Sequence, residues 1–147
     1  MLKKIISGAQ TGADRAGLVA AIDLGIQNGG TVPKGRRTDT GPLSDYEMAR
    51  YNLQESKYNT YPPRTRQNVS DSDGTAIFGN VGSPGSRLTL KYCRDLCKPH
   101  IINPEPSELR AWAEKESIET LNVAGNRERS NPGIYRRVLV ILVQAFQ

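Results

Sequence analysis

The chain has 147 residues, 37% of them hydrophobic and 24% charged, which suits one globular domain, residues 1–147, with a core of its own. Its 20 Lys and Arg against 15 Asp and Glu give a net charge of +5, which favours anionic partners without separating a phosphorylated small molecule from a nucleic acid. Two cysteines and one histidine are too few for a disulfide scaffold or a zinc centre built from Cys and His, and no apolar run approaches the ~20 residues of a membrane span.

The N-terminus enters a strand at Ile5 and Ile6 with no apolar signal region before it, so a cytoplasmic protein is expected. Ser7-Gly8-Ala9-Gln10-Thr11-Gly12 follows as a glycine loop, and a helix starts near Asp14. Glycines let a backbone approach a ligand closely, and the free N–H groups of a helix start attract anions. The loop has neither the lysine of a P-loop nor the spacing of the dinucleotide fingerprint. An ordinary βα turn, with Asp14 as N-cap or first-turn acid, is therefore the alternative. The helix over 13–24 closes at Gly25, and a short strand lies within 26–32.

Residues 32–43 are rich in loop formers and carry Lys34, Arg36 and Arg37, which form either a solvated surface or an anion clamp. Residues 44–66 interleave Tyr46, Tyr51, Tyr58 and Tyr61 with polar groups, a composition that stacks on bases or covers a core edge. Pro62-Pro63 should stop any helix that reaches it, and 64–73 reads as a short exposed helix. Residues 74–79 form a buried strand, after which Gly82, Ser83, Gly85 and Ser86 repeat the opening device: strand, small flexible residues, helix.

That helix is expected over 86–97, with Cys93 and Cys97 on one face as packing residues. His100 to Asn103 is a short strand, and the lone His100 has no second metal ligand in register; no metal site is expected. Ser107 caps a helix to Lys115, and 118–124 alternates into a strand ending at Gly125. Residues 126–133 are a third polar loop with Arg127 and Glu128, and 134–146, β-branched yet long and opened by Pro-Gly, is expected to be helical.

Alternating strands and helices predict an α/β fold: a Rossmann-like three-layer αβα sandwich on a mainly parallel open sheet. Loops leaving the carboxyl ends of such strands gather on one edge, so three polar glycine loops converge there, and convergence favours a binding site.

The ordered set IISGAQTGADRAGL, PKGRR with GPL after it, RTRQNVSDSDGTAIF, a glycine-serine loop and LNVAGNRERSNPGIY closely resembles the molybdenum-carrier proteins, nearly end to end. These are a circularly permuted YpsA-like branch of the SLOG superfamily of Rossmann-like proteins. The resemblance implies glycine-rich strand exits holding a nucleotide, a nucleotide derivative, or molybdopterin or the molybdenum cofactor as cargo. It implies a ligand shell of Gly8, Gln10, Thr11, Gly12 and Asp14; Lys34, Gly35 and Arg36; Arg66, Asn68 and Asp71; Gly82, Ser83, Gly85 and Ser86; and Gly125, Arg127 and Glu128. The lysine-decarboxylase-like nucleotide hydrolases of the superfamily carry a PGGxGT-type loop, from which Gly82-Ser83-Pro84-Gly85-Ser86 departs.

A carrier for a phosphorylated small molecule is thus the leading expectation. The alternatives are a nucleotide N-glycoside hydrolase, with Asp14, Asp71 or Glu128 as base, and a single-strand-binding module, against which the lack of a long basic stripe counts. The structural alternative to the hydrolase roles is that Asp14 caps its helix and Asp71 pairs with Arg64 or Arg66. The apolar last element and the tyrosine-bearing segment could supply a homo-oligomer surface.

Overall fold

The computed structural model describes all 147 residues. Twelve elements alternate, two more than the sequence predicts: β1 (Lys4–Ile6), α1 (Ala13–Leu24), β2 (Gln27–Val32), α2 (Asp45–Arg50), β3 (Leu53–Glu55), α3 (Tyr61–Asp71), β4 (Gly74–Phe78), α4 (Pro84–Asp95), β5 (His100–Ile102), α5 (Pro106–Lys115), β6 (Thr120–Gly125) and α6 (Ile134–Phe146). The six strands form one sheet in the order β3-β2-β1-β6-β4-β5, and every pair is parallel. Helices α1, α5 and α6 pack together on one face, and α3 and α4 on the other, which makes the three layers.

β6 is inserted late in the chain between β1 and β4, pairing Lys4 with Thr120 and Gly74 with Leu121. The loops that leave β1, β6 and β4 therefore lie side by side on one edge. A strand covered on both faces reads as a continuous buried run, and every residue of β4 is buried.

The larger core cluster lies on the α1/α5/α6 face and includes Ile5, Ala16, Ala20, Leu121, Val123, Val138 and Leu142. Helix α1 approaches the sheet closely because its inner face is nearly all alanine and glycine; a Cβ on Gly17 would lie 2.8 Å from the Val123 Cβ. In α6 the buried residues are Ile134, Val138, Leu142 and Ala145, a stripe at helical spacing, so one-sided burial outweighs β-branched propensity.

Several local expectations are corrected. Pro62 and Pro63 open α3 instead of stopping a helix, because first-turn N–H groups need no helical partner. α3 is also not wholly exposed, since Asn68 and Val69 are buried. Polar 44–56 forms α2, closed by a Ser44/Glu47 capping box, and the edge strand β3. α4 begins at Pro84 and ends at Asp95, so exposed Cys97 lies beyond it with φ 53° and does not share a face with buried Cys93. α5 is capped by Glu105 with Glu108, not by Ser107. Of the two roles expected for Asp14, it takes that of first-turn acid, since Gly12 is the N-cap.

Candidate functional site

At the carboxyl edge, Asn126 ties two loops together. Its Oδ1 accepts from the Asn80 N–H at 2.6 Å, and its Nδ2 donates to the Asn80 carbonyl at 3.1 Å and to Ser83 Oγ at 3.3 Å. Gly12 brings the first loop against the same segment. Its φ is 83°, and a Cβ there would strike the Asn126 carbonyl oxygen, so only glycine fits. Thr11 Oγ1 accepts from the Glu128 N–H at 3.4 Å.

Between these loops and helices α3 and α4 lies a cavity of about 110 Å³, lined by Gln10, Asp14, Tyr61, Arg64, Thr65, Gly85, Ser86, Leu88, Thr89, Ala124, Gly125 and Arg127. A narrow recess beside it adds Gly8, Asn68 and Asn122. Asp14 and Arg64 face each other across it, with Arg64 Nη1 3.6 Å from Asp14 Oδ2 and side chains only 13% and 7% exposed for Arg64 and Asp14 respectively. That separation is an ion pair beyond hydrogen-bond length, and none of the Arg64 N–H groups donates a hydrogen bond. Asp14 Oδ2 accepts the Gln10 N–H at 3.3 Å, while its Oδ1 accepts nothing.

Burial pushes the Asp14 carboxyl above the usual aspartate range, against the pull of Arg64, the Gln10 N–H, Arg15 and Arg127. Burial likewise draws the Arg64 guanidinium down, opposed by Asp14. Both groups respond first to desolvation, which is the signature of a charge pair held away from water.

Four buried polar side-chain atoms lack a partner: Gln10 Nε2, Asp39 Oδ2, Arg64 Nε and Ser86 Oγ. Gln10, Arg64 and Ser86 all line the cavity. Buried polar groups are almost always paired, so such a concentration calls for a ligand. The orientation of the Gln10 amide is fixed by two donors, because its Oε1 accepts from the Thr11 N–H at 3.0 Å and the Asp39 N–H at 2.9 Å. The NH₂ end is therefore the one left free.

Three guanidiniums surround the lining residue Tyr61, with Arg37, Arg64 and Arg127 at 5.1, 5.2 and 5.4 Å from the ring centroid; Arg64 and Arg127 line the cavity and Arg37 lies outside its lining. Asp39, from the β2–α2 loop, holds Arg127 at 2.6 Å.

The sequence-derived residues divide cleanly. Gln10, Asp14, Gly85, Ser86, Gly125 and Arg127 line the cavity, with Gly8 and Asn68 in the recess. Gly8 has no room for a Cβ because the Arg64 guanidinium lies over it. Asn68 is structural, its amide exchanging two hydrogen bonds with the Thr31 backbone at 2.8 and 3.0 Å. Thr11, Gly12, Gly82 and Ser83 build the loops; Ser83 caps α4 and Gly82 donates to Asn80 Oδ1.

Lys34, Gly35 and Arg36 do not line the cavity: Arg36 is engaged by Asp45 and Glu55 at 2.6 and 2.8 Å, and the Gly35 N–H donates to Glu55. Arg66 lines a separate groove with Tyr58 and Gln67. Of the candidate acids, Asp71 accepts from Gln67 Nε2 rather than pairing with Arg64 or Arg66. Glu128 accepts the Gly133 and Tyr135 N–H groups at 2.6 and 2.9 Å, which lower its pKa and tie its carboxylate to the start of α6, whose N-cap is Gly133. Tyr61, Arg64, Thr65, Leu88, Thr89 and Ala124 are the lining residues that the sequence-derived shell left out.

Comparison with known proteins agrees with this architecture. No curated protein matches the chain. The crystal structure of a protein named as a putative molybdenum carrier, from Syntrophus aciditrophicus SB, superposes with a TM-score of 0.88 at 37% identity, over 99% of this chain and 94% of that one. Residues 5–146 match the profile of the circularly permutated YpsA SLOG family, and the chain belongs to that family.

Proposed function

We propose that the protein is a carrier-like binder of a phosphorylated small molecule, whose phosphoryl group enters the cavity around Arg64. The observation that carries this reading is the buried Arg64 guanidinium that makes no hydrogen bond, set among the unpartnered Gln10 amide and Ser86 hydroxyl. Arginine's fork suits two oxygens of one oxyanion, and the amide and hydroxyl supply further donors.

The volume limits what enters. At about 110 Å³ the cavity is well below the ~300 Å³ of a site that encloses a whole small molecule, so it takes a charged head group while the rest of the ligand lies at the mouth. There Arg37 and Arg127 add positive charge. Three guanidiniums around the Tyr61 ring leave little face for a base to stack on, which weighs against single-strand binding.

The likeness to a named molybdenum carrier supports a cargo role. No cluster of three or more His, Cys, Asp and Glu side chains is present to ligate a bare metal ion. Molybdenum would therefore reach this site within a ligand that presents its own oxygens, such as a phosphorylated pterin. A hydrolytic reading rests on Asp14 alone, the one candidate acid at the cavity, and on its raised pKa.

The test is a thermal-shift panel of inorganic phosphate, nucleoside monophosphates and molybdate. At a hundred times Kd a ligand adds about 2.7 kcal/mol, or roughly 5–10 °C for a chain of this size. Arg64→Met should remove the shift. No shift with any phosphorylated ligand, or an equal shift in the variant, would overturn the reading.

A further inference from the structure

The cavity carries donors and also one acceptor that nothing satisfies. Gln10 Nε2, Arg64 Nε and Ser86 Oγ lack partners. Asp14 lines the same cavity with a carboxylate that is nine-tenths buried: its Oδ2 accepts the Gln10 N–H and faces Arg64, while its Oδ1 accepts no hydrogen bond. A fully ionised oxyanion offers only acceptors. It would satisfy the three donors and leave its own charge against the Asp14 charge inside a low-dielectric site, where like charges a few ångströms apart repel strongly.

Resting on the phosphoryl-binding reading above, we propose that Asp14 is the specificity-determining residue of the cavity, admitting an oxyanion that carries one proton and turning away those that do not. The proton sits between Asp14 Oδ1 and one ligand oxygen, while the remaining oxygens accept from Arg64, Gln10 and Ser86. Hydrogen phosphate brings that proton at neutral pH. A phosphate monoester, with its second pKa near ~6, takes it up at small cost. Sulfate and molybdate hold no proton at neutral pH, so each must bring one from solvent to the carboxylate. The site thus takes phosphoryl groups in preference to isosteric tetrahedral oxyanions.

The groups facing Asp14 set how readily it shares the proton. Arg64 and Tyr61 come from α3, Arg127 from the β6–α6 loop and Arg15 from α1 itself, and Arg127 is in turn held by Asp39. The three arginines favour the ionised carboxylate, and burial opposes them.

The experiment is calorimetric titration of the intact protein with inorganic phosphate, sulfate and molybdate at about pH 8, where phosphate retains one proton and the other two have none. Phosphate should bind at least about tenfold more tightly than either, and Asp14→Asn should bring the three within about threefold. Wild-type sulfate affinity should rise as pH is lowered from about 8 to about 6, by up to about tenfold per unit, a readout that needs no variant. Equal wild-type affinities, a pH-independent sulfate affinity, or a preference that survives in a folded Asp14→Asn protein would each overturn the role of Asp14 while leaving the binding site standing. Failure of all three anions to bind would instead overturn the phosphoryl-binding reading, and this inference with it.

Discussion

Replacing Arg64 by Met removes the one cation within 4 Å of the Asp14 carboxylate. With 13% and 7% of the side chains exposed, the pair counts as buried. At 3.6 Å and an effective dielectric near 20, the Coulomb attraction is about 4–5 kcal/mol before desolvation is deducted. Losing one partner of a buried pair costs about 3–5 kcal/mol, and the absent hydrogen bond argues for the lower end, about 3 kcal/mol. For a chain of this length that is a fall in Tm of roughly 6–12 °C. Adding Asp14→Asn should restore about half of it, because the stranded charge is then gone.

The pH dependence has a definite sign. Burial raises the Asp14 pKa in the folded state, so the folded protein binds that proton more readily than the unfolded chain. That contribution is present in acid and lost as pH rises through the folded value. Arg64 opposes the rise, so in Arg64→Met the loss is larger and the gap from wild type widens as pH rises above the ordinary aspartate range. Urea unfolding of the four proteins of the cycle measures both effects. A coupling energy below about 0.5 kcal/mol, or a gap that does not change with pH, would refute the argument.

Three further outcomes are expected. Gly12→Ala, forced to φ 83° with its Cβ against the Asn126 carbonyl, should cost about 2 kcal/mol or more, whereas Gly85→Ala, with nothing within 4 Å, should stabilise α4 by up to about 1 kcal/mol in the same melts. Asn126→Ala strands the Asn80 N–H and frees the second and third loops, so it should cost about 1–3 kcal/mol and speed hydrogen exchange at Asn80. Arg36→Ala should leave phosphate affinity within about twofold, since its charge is spent on Asp45 and Glu55, while Arg127→Ala at the mouth should weaken it by about tenfold in calorimetric titration.

The strand-and-helix order and the convergence of three loops were legible because β4 and α1 carry their burial in plain composition. The family was legible in the ordered motifs. The identity of the anion-facing arginine was not. Arg64, Arg66 and Asn68 stand two apart on α3, so on a helix Arg66 cannot share the face of the other two, whereas Arg64 and Asn68, four apart, can. Once Asn68 is placed inward, the spacing selects Arg64, and Arg66 turns to the groove beside Tyr58.

The basic loop misled for a different reason. A cluster of cations shows charge but not its partners, and Glu55 and Asp45, brought close by the edge strand β3 and by α2, neutralise Arg36. Glu128 and Asp71 are candidate bases by residue type, yet backbone and amide N–H groups hold them. Such local hydrogen bonds depend on turns that composition does not specify. Glycine had two meanings as well: Gly8 and Gly12 mark close approach of other atoms, while Gly85 stands open.

The central claim is that the Gln10 amide, Arg64 and Ser86 form one oxyanion site. Gln10→Glu tests it with little change of shape, because the carboxylate keeps an oxygen for the Thr11 and Asp39 N–H groups and replaces only the free NH₂ by a charged oxygen. Calorimetric titration with phosphate at neutral pH is the measurement. The account predicts measurable binding to the wild type and a loss of at least about a hundredfold in a folded Gln10→Glu protein, from one lost donor and one added repulsion. Unchanged phosphate affinity in that variant would contradict it.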